Sequence, residues 1–174
     1  MSERAAIAAP RGADIIAALK TAGIEFVVSV PDIVTSEGLL RPLASDTTLK
    51  LVRVCKEDEG VSICGALSYC EKRALLLMQQ TGLMDSLNAI RAIAVDYELP
   101  VCMMVGLQGK EPELLPSQSS KYGVRVIEPV LDAMGIEHHL LQEPADVAKV
   151  VPAIERAYER SAPVVILVGR SPLP

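Results

Sequence analysis

The chain has 174 residues, half of them hydrophobic, with one Phe and no Trp: one domain's length, with a core that must come from Val, Ile, Leu, Ala and Met. A formal charge of −5 and a pI of about 5.1, with no basic run longer than two residues and no aromatic–basic interleaving, argue against nucleic acid as a partner. The N-terminus has no apolar core of a signal peptide, and no segment reaches the ~20 apolar residues of a membrane span, so a soluble, cytoplasmic protein is expected.

Taken in chain order, ADIIAALKTAG, from Ala13, has helical spacing and a glycine stop, and it leads into the strand-like EFVVSV at 25–30. SEGLLRPLAS reads as a short helix before the strand LKLVRV. A helix opening on EDEG continues to about Tyr69, followed by the strand ALLLMQ, the helix GLMDSLNAIRAIAVDY and the strand PVCMMVG. The polar stretch 107–123 is long for a connection inside one domain. Beyond it come a helix over VIEPVLDAMG, a weak strand EHHLL, a helix over PADVAKVVPAIERAYER and a last strand, PVVILVG. Nearly continuous apolar strands are the pattern of a sheet buried on both faces. The expectation is a single α/β domain over 1–174, a doubly wound, six-stranded parallel sheet with helices on both sides.

In such sheets ligands sit beyond the carboxyl ends of the strands, which directs attention to PDIVTSEG, CKEDEG, QTGLMDS and GLQGKEP. None contains G-x-G-x-x-G or a P-loop. Glu57, Asp58 and Glu59 fit the first turn of a helix, where the dipole favours acids. Glu57, at the strand end, is also placed to enter the crevice, where apolar surroundings favour proton sharing with a ligand nitrogen. Thr81 reads as a helix N-cap, and Gly82 as the point where a ring can approach the backbone. Pro31 fixes a turn, with Thr35 or Ser36 capping the next helix and free amides there able to hold an anion. His138 and His139 are strand neighbours pointing to opposite faces, so they do not share a site. Cys55, Cys64, Cys70 and Cys102 lack C-x-x-C spacing and read as buried reduced thiols.

The segments FVVSVPD, VCKEDEGVSICGAL, LLLMQQTGLMDSLNAI, ELPVCMMVGLQG and VIEPVLDAMGI follow one another between residues 26 and 136. Together they resemble the pyrimidine-binding domain of thiamine-diphosphate-dependent enzymes. Within that family they are most similar to the alpha subunit of sulfopyruvate decarboxylase and to phosphonopyruvate decarboxylases. The resemblance implies that Glu57 bonds the N1′ nitrogen of the cofactor's aminopyrimidine, that Pro31, Thr81, Gly82 and Leu83 line the pyrimidine pocket, and that Gln108 faces cofactor or substrate. The implied reaction is decarboxylation of a small 2-oxo acid, 3-sulfopyruvate to sulfoacetaldehyde and carbon dioxide. A phosphonopyruvate or other 2-oxo acid decarboxylase, or a carboligase, is the alternative within the class, and a non-catalytic binding or scaffolding subunit is the one outside it. The family's metal-binding half carries Gly-Asp-Gly and paired asparagines; this chain has no Gly-Asp-Gly, and Asn88 is its only asparagine. The resemblance therefore implies a separate beta subunit that holds the diphosphate and Mg2+, in a hetero-oligomer such as α2β2 or larger. Where the family has G-L-G-N-S-L-N, Met84 and Asp85 stand in place of Gly and Asn. For a substrate with a distal anion, Lys121 and Arg125 on the polar stretch are the candidate partners.

Overall fold

In the computed structural model, which describes residues 8–174, the six apolar runs form β1 (Phe26–Ser29), β2 (Lys50–Arg53), β3 (Ala74–Gln79), β4 (Cys102–Gly106), β5 (Glu137–Leu141) and β6 (Val164–Val168). They make one sheet in the order β2-β1-β3-β4-β6-β5, and every neighbouring pair is parallel. The central β4 and β6 are buried throughout, as is β3 up to its last residue. The edge strands β2 and β5 are only partly covered, which is why EHHLL looks weak as a strand.

Successive strand residues face opposite sides. Leu75, Leu77 and Ile166 therefore enter one core layer, against α1 (Gly12–Thr21) and α8 (Val150–Arg160). Leu76, Met78 and Val165 enter the other, against α3 (Glu57–Tyr69) and α7 (Ile127–Ala133). Helices on both faces explain the unbroken hydrophobicity of the strands. Among the described residues no helix is long and apolar enough to cross a membrane.

Two expected helices are built differently. SEGLLRPLAS begins as a π turn over Ser36–Leu40 before the short α2 (Arg41–Ser45). The helix expected over GLMDSLNAIRAIAVDY is three pieces: α4 (Gln80–Asp85), α5 (Leu87–Ala89) and a π segment over Ile90–Val95. Periodicity cannot register such changes of winding, because the apolar positions still fall on one face.

Only two of the four thiols, Cys64 and Cys102, are buried, while Cys55 and Cys70 are exposed. Burial pushes the Cys64 thiol up to about 12. His139 lies 2.7 Å from Glu137 Oε1, and Arg156 donates to the same oxygen at 2.6 Å. These contacts tie the β5 edge to α8.

The polar stretch 107–123 is folded around Glu111. Its carboxylate accepts from Ser119 Oγ (2.7 Å), Ser120 N–H (3.1 Å) and Ser120 Oγ, and a 3₁₀ turn covers Pro116–Gln118. Arg125 donates to the Ser119 carbonyl (2.7 Å) from α6 (Tyr122–Arg125). Hydrogen bonds from Ser119, then Ser120, hold the Glu111 carboxyl down from its ordinary 4.5 to about 2. A folded value below the unfolded one contributes stability above the unfolded value, and this is lost as pH falls through the folded one. Amide exchange at Ser120 should therefore accelerate relative to β4 as pH falls from about 4.5 towards about 2. Equal protection at both ends of that window would reject Glu111 as the hub.

Candidate active site

The chain leaves β1 for β2 on one side and enters β3 on the other, so the sheet's direction switches between β1 and β3, where ligands collect in open α/β folds. A cleft of about 670 Å³ opens there, lined among others by Pro31, Asp32, Ser36, Arg53 and Gln79. Its floor is set by Asp32, 6% exposed. Asp32 Oδ1 accepts from the Val34 N–H (2.7 Å) and the Thr35 N–H (2.9 Å), while Oδ2 accepts from the Thr35 hydroxyl. Ser36 Oγ donates to the Asp32 carbonyl. Thr35 stands at the N-cap position of the following turn, but neither its side chain nor that of Ser36 caps it, and the Asp32 carboxylate takes the two amides just before that turn. An Asp whose side chain bonds the backbone two and three residues on is a recognisable turn signal.

The three acids after β2 separate cleanly. Glu59 reaches back to accept from the Cys55 N–H (3.1 Å) and the Lys56 N–H (3.4 Å), and Asp58 Oδ1 accepts from the Glu59 N–H (3.0 Å). Both serve the start of α3. Glu57, its first residue, is half-buried, and among the described residues its carboxylate makes no hydrogen bond and no ion pair. It lies against Gly82: a Cβ there would be 2.3 Å from Glu57 Cγ, Cδ and Oε1. Only a residue without a side chain lets the carboxylate rest on α4. The space at Gly82 is thus used first by the chain's own acid.

Gln80, 5% exposed, joins the loops after β3 and β4. Its Oε1 accepts from the Gln108 N–H (2.8 Å) and its Nε2 donates to the Gln108 carbonyl (3.1 Å). Thr81 is exposed and sits inside α4, so the N-cap is Gln79, whose Nε2 donates to the Thr81 hydroxyl (2.7 Å). Leu83 is fully buried in the core beneath. Met84 packs against that core, and Asp85 is exposed. Gln108 lines a second cleft. Lys121 is exposed and lines neither cleft, nor does Arg125, whose guanidinium stacks over Tyr122, 5.7 Å from the ring centroid.

Of the residues expected at the site, Pro31 lines the switch-point cleft and Gln108 the second one. Glu57 and Gly82 touch each other at the starts of α3 and α4, but neither they nor Thr81 line either cleft, and Lys121 and Arg125 stay on the outer loop. Asp32 and Gln80 are the side chains that hold these loops, and neither was singled out from sequence. The Asp-x-x-Thr-Ser spacing carries a signal for Asp32; Gln80 shows none, because its partner lies 28 residues on.

No family model matches the chain. Sulfopyruvate decarboxylase subunit alpha from Methanocaldococcus jannaschii is 29% identical over 151 residues, which are 86% of this chain and 88% of that protein. The same subunit from Methanothermobacter thermautotrophicus is 33% identical over 104 residues, 60% of this chain and 62% of its own length. Sulfopyruvate decarboxylase from Methanosarcina acetivorans is 24% identical over 156 residues, 89% of this chain but 39% of that protein. Among solved structures, 2-oxoglutarate:ferredoxin oxidoreductase from Magnetococcus marinus superposes with a TM-score of 0.72 at 17% identity, covering 98% of this chain and 30% of that one. Benzoylformate decarboxylase from Polynucleobacter necessarius gives 0.69 at 19%, covering 96% and 32%. The chain spans about a third of each of those two structures, and at that identity the likeness is one of fold.

Two substitutions test the geometry. Asp32→Ala leaves two buried N–H groups and the Thr35 hydroxyl without their acceptor, and should lower stability by about 2–4 kcal/mol in urea unfolding. A loss below about 0.5 kcal/mol would mean that the loop does not depend on it. Gly82→Ala should keep the fold, since the end of a half-buried Glu57 can swing aside, and a crystal structure should find the Glu57 carboxylate moved off α4. An unmoved carboxylate would contradict the close approach.

Proposed function

We propose that this chain, homologous to sulfopyruvate decarboxylase alpha subunits and built on the α/β fold of thiamine-diphosphate pyrimidine-binding domains, is the alpha subunit of a thiamine-diphosphate-dependent 2-oxo acid decarboxylase acting on 3-sulfopyruvate. The observation that carries this reading is Glu57, a half-buried carboxylate without a partner, seated on Gly82 at the switch point of the sheet. Buried or half-buried acids normally find partners within the chain, as Asp32 and Asp58 do here. An acid left over beside a crevice is suited to an external one.

The residues fit one half of thiamine diphosphate. Glu57 would hold the aminopyrimidine through N1′, sharing a proton with that nitrogen, while Gly82 keeps the acid's approach open and Pro31 and Thr81 border the same edge. Bound cofactor supplies the electron sink that lets a 2-oxo acid lose carbon dioxide. The chain's own contribution is to fix the acid and the loops around it: Asp32 sets the β1 loop, and Gln80 fixes the Gln108 backbone so that its side chain faces the neighbouring cleft. Met84 and Asp85, the departures from the family pattern, turn towards the core and the surface respectively and do not occupy the space over Gly82.

The diphosphate and Mg2+ belong to a separate beta subunit in this reading, within an α2β2 or larger assembly. The Methanocaldococcus jannaschii relative, itself a subunit alpha and matched over 88% of its own length, supports it. A chain that provides the activating acid and not the metal site has no reason to turn over alone.

The purified chain should release no carbon dioxide from 3-sulfopyruvate, and should do so once combined with the partner chain, thiamine diphosphate and Mg2+. Turnover by the chain alone would overturn the divided site. In the assembled enzyme Glu57→Gln removes the proton-sharing group while keeping the shape, and should cut kcat by about 10²–10⁴-fold. Full activity in that variant would remove Glu57 from its assigned role.

A further inference from the structure

The second cleft, about 430 Å³, lies beyond β4 and β6 and is lined by Ile33, Val34, Gln108, Lys110, Glu113 and Arg170 among others. Its inner wall carries two cations that the mechanism above does not use. Lys110 and Arg170 are each 8% exposed, on the loops leaving β4 and β6, strands that pair with each other.

Among the described residues the lining of the cleft holds two cations and one acid. Glu113 is the only acid lining the cleft among the described residues; its side chain is 68% exposed and its carboxylate stands 3.5 Å from Arg170. Glu111, next to Lys110, turns its carboxylate away to Ser119 and Ser120. Arg170 Nε donates to the Pro112 carbonyl (2.8 Å), which holds the guanidinium in place. Lys110 Nζ donates to the Glu111 carbonyl (2.9 Å) and, among the described residues, to nothing else. An ammonium has three protons to donate. Burial, then the Arg170 charge, lowers the Lys110 ammonium from its ordinary range.

A third polar group lies behind the cleft wall. Gln142, 8% exposed, leaves its Oε1 without a partner. A Cβ on Gly169, which lines the cleft, would lie 2.8 Å from that oxygen and 3.3 Å from Lys110 Cε. A buried amide or ammonium is costly when left unpaired. Lys110 and Arg170 share the wall of one opening, with Gln108 on its near side.

We propose that Lys110 and Arg170 form the subsite for the distal anionic group of a dianionic 2-oxo acid, a sulfonate, phosphonate or second carboxylate, with Lys110 as the specificity-determining residue. The inference rests on the decarboxylase reading above and deepens it. Arg170 brings a positive charge fixed in place by its own bonds, and Lys110 adds a point charge with donors to spare. The candidates expected from sequence, Lys121 and Arg125, lie on the outer loop, with Arg125 already bonded to the Ser119 carbonyl. The cofactor's diphosphate has the same anionic chemistry, so the test must separate the two.

In the assembled enzyme, Lys110→Met keeps the side chain's length and removes its charge. It should raise KM for 3-sulfopyruvate by about 10–100-fold, the loss of one charged hydrogen bond, with a smaller change in kcat and no change in the affinity for thiamine diphosphate. Lys110→Arg should recover most of the loss. An unchanged KM, or cofactor affinity that falls in parallel, would overturn the subsite, the second outcome assigning the cations to diphosphate. Calorimetry on the full chain with sulfoacetate and with acetate needs no turnover: the chain should prefer sulfoacetate, and Lys110→Met should abolish the preference. A preference that survives the substitution also overturns the subsite. A preference that depends on Lys110 in a complex that decarboxylates no 2-oxo acid would keep the subsite and overturn the decarboxylase reading.

Discussion

All-parallel pairing is the constraint from which the rest of this molecule follows. Parallel neighbours cannot be joined by tight hairpins, so each connection must cross a face of the sheet, and each begins at the same edge. The loops after β1, β2, β3, β4 and β6 are thereby gathered side by side, however far apart they lie in the chain. The order β2-β1-β3-β4-β6-β5 then parts the outgoing loops at β1 and β3, and the larger cleft opens at that parting. Glu57 and Gly82, 25 residues apart in the chain, touch for this reason.

A second feature is how the loops are stiffened. Asp32, Gln80 and Glu111 each commit their side chains to loop backbone or to loop hydroxyls. None of these bonds reaches across the molecule, yet together they convert three connections into fixed walls. A binding site gains from walls that need no ordering when the ligand arrives. Against that background the side chains without partners stand out: Glu57 on Gly82, and Lys110 with most of its donors unspent.

The proposed chemistry is divided by charge: Glu57, seated on Gly82, would meet a ring nitrogen, and the second cleft would present cations to an anion. Ile33, 75% exposed, lines both clefts and marks the boundary between them. In the proposed reading the metal and the diphosphate lie on another chain, so this subunit carries activation of the cofactor and recognition of the substrate's far end. Substitutions that retune substrate choice then fall on a different polypeptide from those that retune metal binding.

The architecture was legible in the sequence because burial on both faces writes itself as unbroken apolar strands. That pattern marks the inner strands, while the partly covered edge strands β2 and β5 show it less. The first-turn acids and the special place of Glu57 were legible too, since a strand end followed by a helix start is a local event. The winding of the short helices was not, because π and α turns keep the same apolar face. Nor were Gln80 and the Lys110–Arg170 pair, whose partners are brought together only by crossovers of many residues. Gly82 is the instructive case: its spacing marked a close approach, and only the folded chain decided that the first occupant is the carboxylate of Glu57. Local patterning determined the elements and the candidate acid. Tertiary contact decided which polar groups are satisfied within the chain and which are left to a ligand.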